Sequence, residues 1–178
     1  MGDYDRRIRD ESWKGIFQFQ GSAKAHGNIE IEKGDLIFFD GRNGLRNRGT
    51  SIWDGWVYPF SKISGSTLTL ASNRNLAYQN FFGIAASSKE AGVTDEISVY
   101  LHGLFCYPLR NARTTKVGDY VIPAGSGVTL YNQVVAVVKS GCSDIIGLVV
   151  KSGDFKSEVN IVMRSKIMGL NKFSDLTK

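Results

Sequence analysis

Residues 33–41 read KGDLIFFDG, and residues 117–125 read VGDYVIPAG. In both blocks a Gly-Asp pair is followed at once by a run of apolar residues. Glycine and aspartate favour tight turns, and a short apolar run fits a strand that is buried on both faces. The two blocks therefore predict the same local structure twice, a tight turn that leads into a buried strand.

Two further pairs of segments follow the blocks in the same order. FGIAAS at residues 82–87 matches IGLVVK at 146–151, and EISVYL at 96–101 matches EVNIVM at 158–163. A fixed order of similar segments indicates a repeated supersecondary unit. We predict two such units, at about residues 28–105 and 112–168, inside one β-rich domain that covers residues 15–170.

The composition agrees with a β-rich globular domain. The chain has 178 residues, of which 42% are hydrophobic and 22% are charged, and it has 20 glycines against 3 prolines. A chain of this length can bury about 70% of its unfolded surface, and the glycine excess indicates many turns and bulges. We therefore predict an all-β fold, a β-barrel or sandwich built from a duplicated β unit, with long loops and an extended N-terminal arm.

Two local features bear on the bounds of these strands. Pro108 is expected to end the strand that begins at Glu96, because proline cannot donate to a sheet ladder. Residues 76–82, LAYQNFF, are consistent either with a strand or with one helical turn. No amphipathic helix longer than three turns is predicted anywhere.

The two ends of the chain are polar. Residues 1–14 alternate acidic and basic side chains, with Tyr4 and Trp13 among the few apolar anchors. This segment is either a frayed terminus or an arm that becomes ordered against a neighbouring subunit. Residues 171–178 form a polar tail. The start lacks the apolar segment of a secretory signal, and no stretch approaches the roughly 20 apolar residues of a membrane span, so we predict a cytoplasmically made protein without a membrane partner.

Catalytic and metal-binding residues are scarce. The chain has only His26 and His102, and Cys106 and Cys142 are too far apart for a zinc or redox motif. We expect both cysteines to be buried free thiols, with a disulfide bond as the alternative. We predict no enzyme, no catalytic residue, no metal site and no cofactor.

Asp35 and Asp119 occupy equivalent places in the two Gly-Asp blocks. Paired carboxylates are one way to build a hydrolase. Aspartate after glycine at a turn, however, commonly accepts hydrogen bonds from nearby backbone amides. We therefore expect both residues to stabilise their own turns.

Arginine and aromatic residues make the strongest local signal. A loop rich in Gly, Asn and Arg begins at residue 41, and an aromatic segment follows it, within a chain of net charge +5. These residue types are enriched at interface hot spots, although they could also form a solvated loop or stack on nucleic acid bases. Because acidic and basic residues are mostly interspersed, a protein partner is favoured over nucleic acid. The predicted interface residues are Tyr4, Trp13, Arg42, Arg46, Arg48, Trp53, Trp56 and Tyr58.

A second basic cluster, formed by Arg110, Arg113 and Lys116, lies further along the chain. It could also meet an acidic surface or phosphates.

Two halves built from one unit could pair with copies of themselves through their strand edges. This would give a closed homo-oligomer, for which a trimer is favoured and a dimer comes next.

The chain resembles the small β-rich head-decoration, or cement, proteins of tailed bacteriophages. The resemblance is carried by residues 34–39, 58–62, 82–85 and the second block from Val117 to Val150, and it covers most of residues 27–168. Those proteins share a Gly-Asp strand entry, a return strand with a Gly-Ile-Ala-like core, and a valine-rich strand with a small glycine hairpin. The long insertion from Arg42 to Tyr58 and the N-terminal arm depart from that pattern.

The resemblance implies a non-enzymatic virion protein, assembled in the host cytoplasm. It would sit on the outer surface of the capsid, contact the major capsid protein, and stabilise the expanded shell against the pressure of packaged DNA. Three alternatives remain at this point. The chain could be a tail component or head-fibre base, a small-barrel protein that binds single-stranded nucleic acid, or an enzyme that uses Asp35 and Asp119.

Overall fold

A computed structural model of the chain describes residues 19–25, 27–40, 56–63, 69–93 and 96–166. These residues form nine strands, one α-helix and one short 3-10 helix. The strands are β1 (Phe19–Lys24), β2 (Leu36–Asp40), β3 (Trp56–Pro59), β4 (Phe81–Ala85), β5 (Glu96–Thr115), β6 (Tyr120–Ser126), β7 (Thr129–Val138), β8 (Gly147–Val149) and β9 (Gly153–Arg164). The 3-10 helix is Phe60–Lys62 and helix α1 is Leu70–Gln79. The predicted all-β fold is confirmed.

The strands occur in the sheet order β3-β2-β4-β5-β7-β6-β8-β9, with β1 beside β5. This order contains the same four-strand pattern twice, because β7, β6, β8 and β9 are arranged as β3, β2, β4 and β5 are. The registers also agree. In the first unit Leu36 pairs with Ile84 and Ile37 pairs with Gly83. In the second unit the equivalent residues pair in the same way, Tyr120 with Leu148 and Val121 with Gly147. The fold is therefore built from a duplicated β unit.

We define the first module as residues 19–101 and the second module as residues 103–164. In the second module a five-stranded barrel closes through β5, β7, β6, β8, β9 and back to β5. In the first module the ring runs β1, β5, β4, β2, β3 and is completed by a parallel bridge between Ala25 and Val57. The pairings place the boundary between the modules inside β5, near His102.

Strand β5 belongs to both modules. Its first half pairs with β1 and β4, and its second half pairs with β9 over most of its length. The prediction that Pro108 ends this strand is wrong, because β5 continues to Thr115. Proline is tolerated at this point because the register shifts between Pro108 and Arg113, and an irregular stretch of ladder does not need every backbone N–H.

Two clusters of buried side chains fill the molecule. One lies within the first module and includes Ile37, Val57, Phe82 and Val99. The other fills the second module and also takes in residues of the first, such as Phe38, Phe60 and Phe81. The second cluster therefore forms a core that is shared by both modules.

Helix α1 is longer than the sequence indicated. Thr69 caps its start, where the hydroxyl oxygen accepts a hydrogen bond from Ser72 N at 3.2 Å. Only Asn73 and Ala77 are buried along its ten residues, so it lacks the apolar stripe that marks most helices in a sequence. For this reason residues 70–75 were not predicted to be helical.

Candidate protein interface

Six of the eight predicted interface residues fall outside the described part of the chain. They are Tyr4, Trp13, Arg42, Arg46, Arg48 and Trp53. The structure describes the remaining two, Trp56 and Tyr58, and places both on β3. Residues two apart on a strand share a face, so these two side chains lie on the same side of the sheet.

Trp56 and Tyr58 are both half-buried, while Val57 and Pro59 between and after them are buried. Tyr58 stacks on Phe38 with ring centroids 5.7 Å apart and packs against the core that joins the modules. Part of the Tyr58 ring therefore stabilises the fold. Trp56 stands at the start of β3, directly after residues 41–55, which the structure does not describe.

The two Gly-Asp blocks form the same turn. In the first, Asp35 Oδ2 accepts a hydrogen bond from Glu32 N at 3.0 Å, and Asp35 N donates to Glu32 O at 3.0 Å. In the second, Asp119 Oδ2 accepts from Lys116 N at 2.9 Å, and Asp119 N donates to Lys116 O at 3.1 Å. Both aspartates therefore stabilise their own turns, as the sequence predicted.

Each turn is also joined to its return strand in the same way. Gly34 N donates to Ala85 O at 2.8 Å, and Gly118 N donates to Val149 O at 2.9 Å. Both glycines have a positive φ, 94° at Gly34 and 90° at Gly118. Residues other than glycine adopt this backbone conformation only at a cost in free energy. The turns therefore share their glycine conformation and their hydrogen bonds to the backbone.

The first turn (residues 32–35) is covered by the second module. The Tyr107 hydroxyl donates to Gly34 O at 2.6 Å, and Gln133 Nε2 donates to Asp35 Oδ1 at 2.7 Å. Asp35 is only 2% exposed as a result. One module thus recognises the Gly-Asp turn of the other with two polar side chains.

The second turn (residues 116–119) is uncovered. Lys116, Val117 and Gly118 are all exposed, and 66% of Val117 is accessible to solvent. Phe155 in β9 is 80% exposed. Neither Val117 nor Phe155 was predicted to be an interface residue. A signal for Phe155 was present, since it stands alone among polar residues in KSGDFKSE at 151–158.

A groove of about 550 Å³ opens beside the covered first turn. Its charged lining residues include Glu30, Glu32 and Lys62, and Tyr131 and Asn132 of β7 also line it. Asn132 Oδ1 accepts a hydrogen bond from Ser61 N at 2.7 Å, which leaves its amide N–H groups as donors. The groove thus combines negative charge, an aromatic ring and hydrogen-bond donors.

Of the groups considered for chemistry at the sequence level, Asp35 lines this groove, whereas Asp119, His102 and the two cysteines are not among its lining residues. His102 is half-buried on β5 opposite Arg164, and His26 is not among the described residues. Cys106 is buried, and its Sγ donates to Glu158 Oε2 at 3.8 Å. The expected burial of Cys142 is wrong, because it is half-buried, and neither of the two cysteines forms a disulfide. Among the residues that the structure describes, no group of three or more His, Cys, Asp or Glu side chains could hold a metal ion.

Arg113 of the second basic cluster is tied to the fold. It is half-buried, and its Nη1 donates a hydrogen bond to the Val137 carbonyl oxygen. Arg110 and Lys116 are exposed. Within the described ranges, helix α1 and the 3-10 helix are too short or too polar to cross a membrane.

No protein-family model matches the chain. No curated protein matches it. Among solved structures, the chain is similar to the crystal structure of the head fiber gp8.5 N base of bacteriophage phi29. That likeness has a TM-score of 0.42 and 13% sequence identity, and it covers 84% of this chain and 98% of that one. A similarity at this level carries neither the fold nor the function across to this chain.

Proposed function

We propose that this chain is a non-enzymatic virion structural protein, a capsid decoration or cement protein that binds the outside of a phage head shell and stabilises it. The observation that carries the proposal is the pair of Gly-Asp turns. The segments that resemble the decoration proteins fold here as one β module made twice, with matching hydrogen bonds at both turns. The resemblance therefore rests on segments that are used as structural units.

The construction of the molecule suits this function. Strand β5 runs through both modules, and one core joins them, so the two modules are held as a stiff unit. A stiff ligand that fits only the expanded shell stabilises that state through its selective binding. Several copies that bridge neighbouring shell subunits add avidity without new types of contact.

The proposed partner is the major capsid protein, contacted at the capsid surface. We assign the contact to the residues predicted from the sequence, the arm residues Tyr4 and Trp13 and the insertion that contains Arg42, Arg46, Arg48 and Trp53. Trp56 belongs to the same surface because it lies in the same insertion. Tyr58 contributes less, since its ring already packs against Phe38.

The test uses purified heads of the phage that encodes this chain, stripped of the protein and then incubated with it. A deletion that includes residues 56–58 would remove part of β3, so side-chain substitutions are preferable to loop deletion. The test variant lacks residues 1–14 and carries serine at Arg42, Arg46, Arg48 and Trp53. Its matched control carries serine at Lys24 and Lys139, two exposed lysines that lie outside every predicted interface.

We expect the control to occupy the heads as the unmodified protein does, and the test variant to lose at least about tenfold in affinity, as loss of interface hot spots does. Thermal release of DNA from the heads should fall to lower temperature when the protein is absent. Normal occupancy by the test variant would overturn the assignment of these residues. Failure of the unmodified protein to bind heads would overturn the proposed function.

A further inference from the structure

The uncovered second turn and Phe155 lie at one end of the second module. Val117 N donates to Ser152 Oγ at 3.3 Å, and Thr115 pairs with Gly153, so the turn and the start of β9 are neighbours. Phe155 has a φ of 43°, a conformation that bulky side chains rarely adopt. A strained backbone that holds an aromatic ring out into solvent is typical of binding sites.

The first module shows that the fold does not require these apolar residues. Lys33 occupies the place of Val117 in the equivalent turn, and its N donates to Ser88 Oγ at 3.0 Å as Val117 N does to Ser152. A charged residue is therefore compatible with the turn. The exposed valine at this place in the second module is explained by neither the turn nor the core.

The covered first turn shows what such a turn binds. The second module supplies a tyrosine hydroxyl to Gly34 O and an amide to Asp35 Oδ1. The second turn offers the corresponding atoms, Gly118 O and Asp119 Oδ1, on an exposed glycine and a half-buried aspartate. Its partner should therefore present a tyrosine or amide donor beside an apolar contact.

The groove beside the first turn has these properties. Tyr131 is 36% exposed there, and its hydroxyl hydrogen can rotate toward an acceptor. Asn132 offers its amide N–H groups as donors. The charges favour this contact, because Glu30 and Glu32 outnumber Lys62 in the groove, and three exposed lysines outnumber Asp119 and Asp154 around the second turn. These lysines are Lys116, Lys151 and Lys156.

We propose that the second turn and Phe155 of one copy of this chain dock into the groove of a second copy. The contact joins two different surfaces, so repeated use of it gives a ring if the rotation closes. A trimeric ring, the oligomer favoured from the sequence, satisfies every turn and every groove. This inference goes beyond the proposed function, since it requires no shell and can fail while shell binding stands.

Sedimentation of the purified full chain, over a concentration series up to about 1 mM, tests the docking. The test variant combines Val117→Lys, the residue of the first module, with Phe155→Asn, because asparagine tolerates positive φ. The matched control is Val93→Asn, which removes an apolar residue that is 55% exposed in the first module. We expect the control to associate normally and the test variant to associate at least about tenfold more weakly. A monomeric wild-type chain throughout the series, or a test variant that associates normally, would overturn the docking.

A charge exchange identifies the groove. Glu30→Lys and Lys156→Glu should each weaken association, and the double variant should restore it, because the pair then has opposite charges again. Both residues are exposed, so the fold should tolerate each change. Weakened single variants without recovery in the double variant would show that the second turn binds elsewhere on the partner copy and would overturn the proposal.

Discussion

Asp35 and Asp119 accept the same backbone hydrogen bond, but only Asp35 is buried and bonded by a second module. We expect Asp35→Ala to lower the free energy of unfolding by about 2–3 kcal/mol, because at this buried position it removes two hydrogen bonds to a carboxylate, one from Glu32 N and one from the half-buried Gln133 amide. Asp119→Ala should cost about 1 kcal/mol. Chemical denaturation measures both, with the exposed Asp154 as the control site. Equal costs at the two aspartates would contradict the covered-turn description.

Gly83 and Gly147 allow two strands to approach closely in each module. A methyl group at Gly83 would collide with the carbonyl oxygen of Tyr100, and one at Gly147 would lie 2.6 Å from that of Val162. Because backbone atoms cannot move aside as side chains do, each change to alanine should cost about 1–3 kcal/mol or more.

Gly21→Ala is the control for this pair. Its added methyl group would first meet the end of the Leu101 side chain, at 3.1 Å, and that side chain can rotate. Melting temperatures of the three variants check the prediction. A loss of stability at Gly21 as large as at Gly83 and Gly147 would show that close strand approach is not the reason.

At the scale of elements, helix α1 fastens the first module to the β6–β7 hairpin of the second. Asn73 Nδ2 donates to Val128 O at 2.5 Å, and Arg74 Nε donates to Pro123 O at 2.9 Å. We expect Asn73→Ala and Arg74→Ala each to cost about 1–2 kcal/mol and to speed hydrogen exchange in the hairpin. Gln79→Ala, at an exposed position of the same helix, should change neither quantity. Unchanged hydrogen exchange of the hairpin in the Asn73 and Arg74 variants would show that α1 does not fasten the two modules together.

The same helix shows what the sequence could and could not predict. Strands β2 and β6 were predictable because a turn signal stands directly before a continuous apolar run. Helix α1 was not predicted beyond one possible turn in residues 76–82, since its buried face is Asn73 and Ala77 and its contacts are made by polar side chains across the module boundary. The continuation of β5 past Pro108 was missed because the register shift that accommodates it depends on β9.

The candidate interface was also predictable from the sequence only in part. Trp56 and Tyr58 were identified by residue type, but the stacking of Tyr58 on Phe38 depends on strand pairing between β2 and β3. The uncovered second turn could not be found from the sequence, because both Gly-Asp blocks read alike. Only the fold shows that Tyr107 and Gln133 cover one of them.

At the scale of the whole molecule, the two modules should unfold together. They share β5 and one core, so neither can unfold without exposing buried side chains of the other. Calorimetry should show a single transition whose calorimetric and van't Hoff enthalpies agree. Two separated transitions would mean that the modules are independently stable and that the shared strand does not couple them.

We propose that this duplicated β module decorates the outside of a phage head shell. The most direct measurement is the copy number of the chain in purified particles of its phage, relative to the major capsid protein. We predict a fixed ratio comparable with the number of shell subunits, lost when the protein is stripped from the surface. A chain that is absent from particles, or present only in the few copies of a tail or fibre base, would contradict the claim.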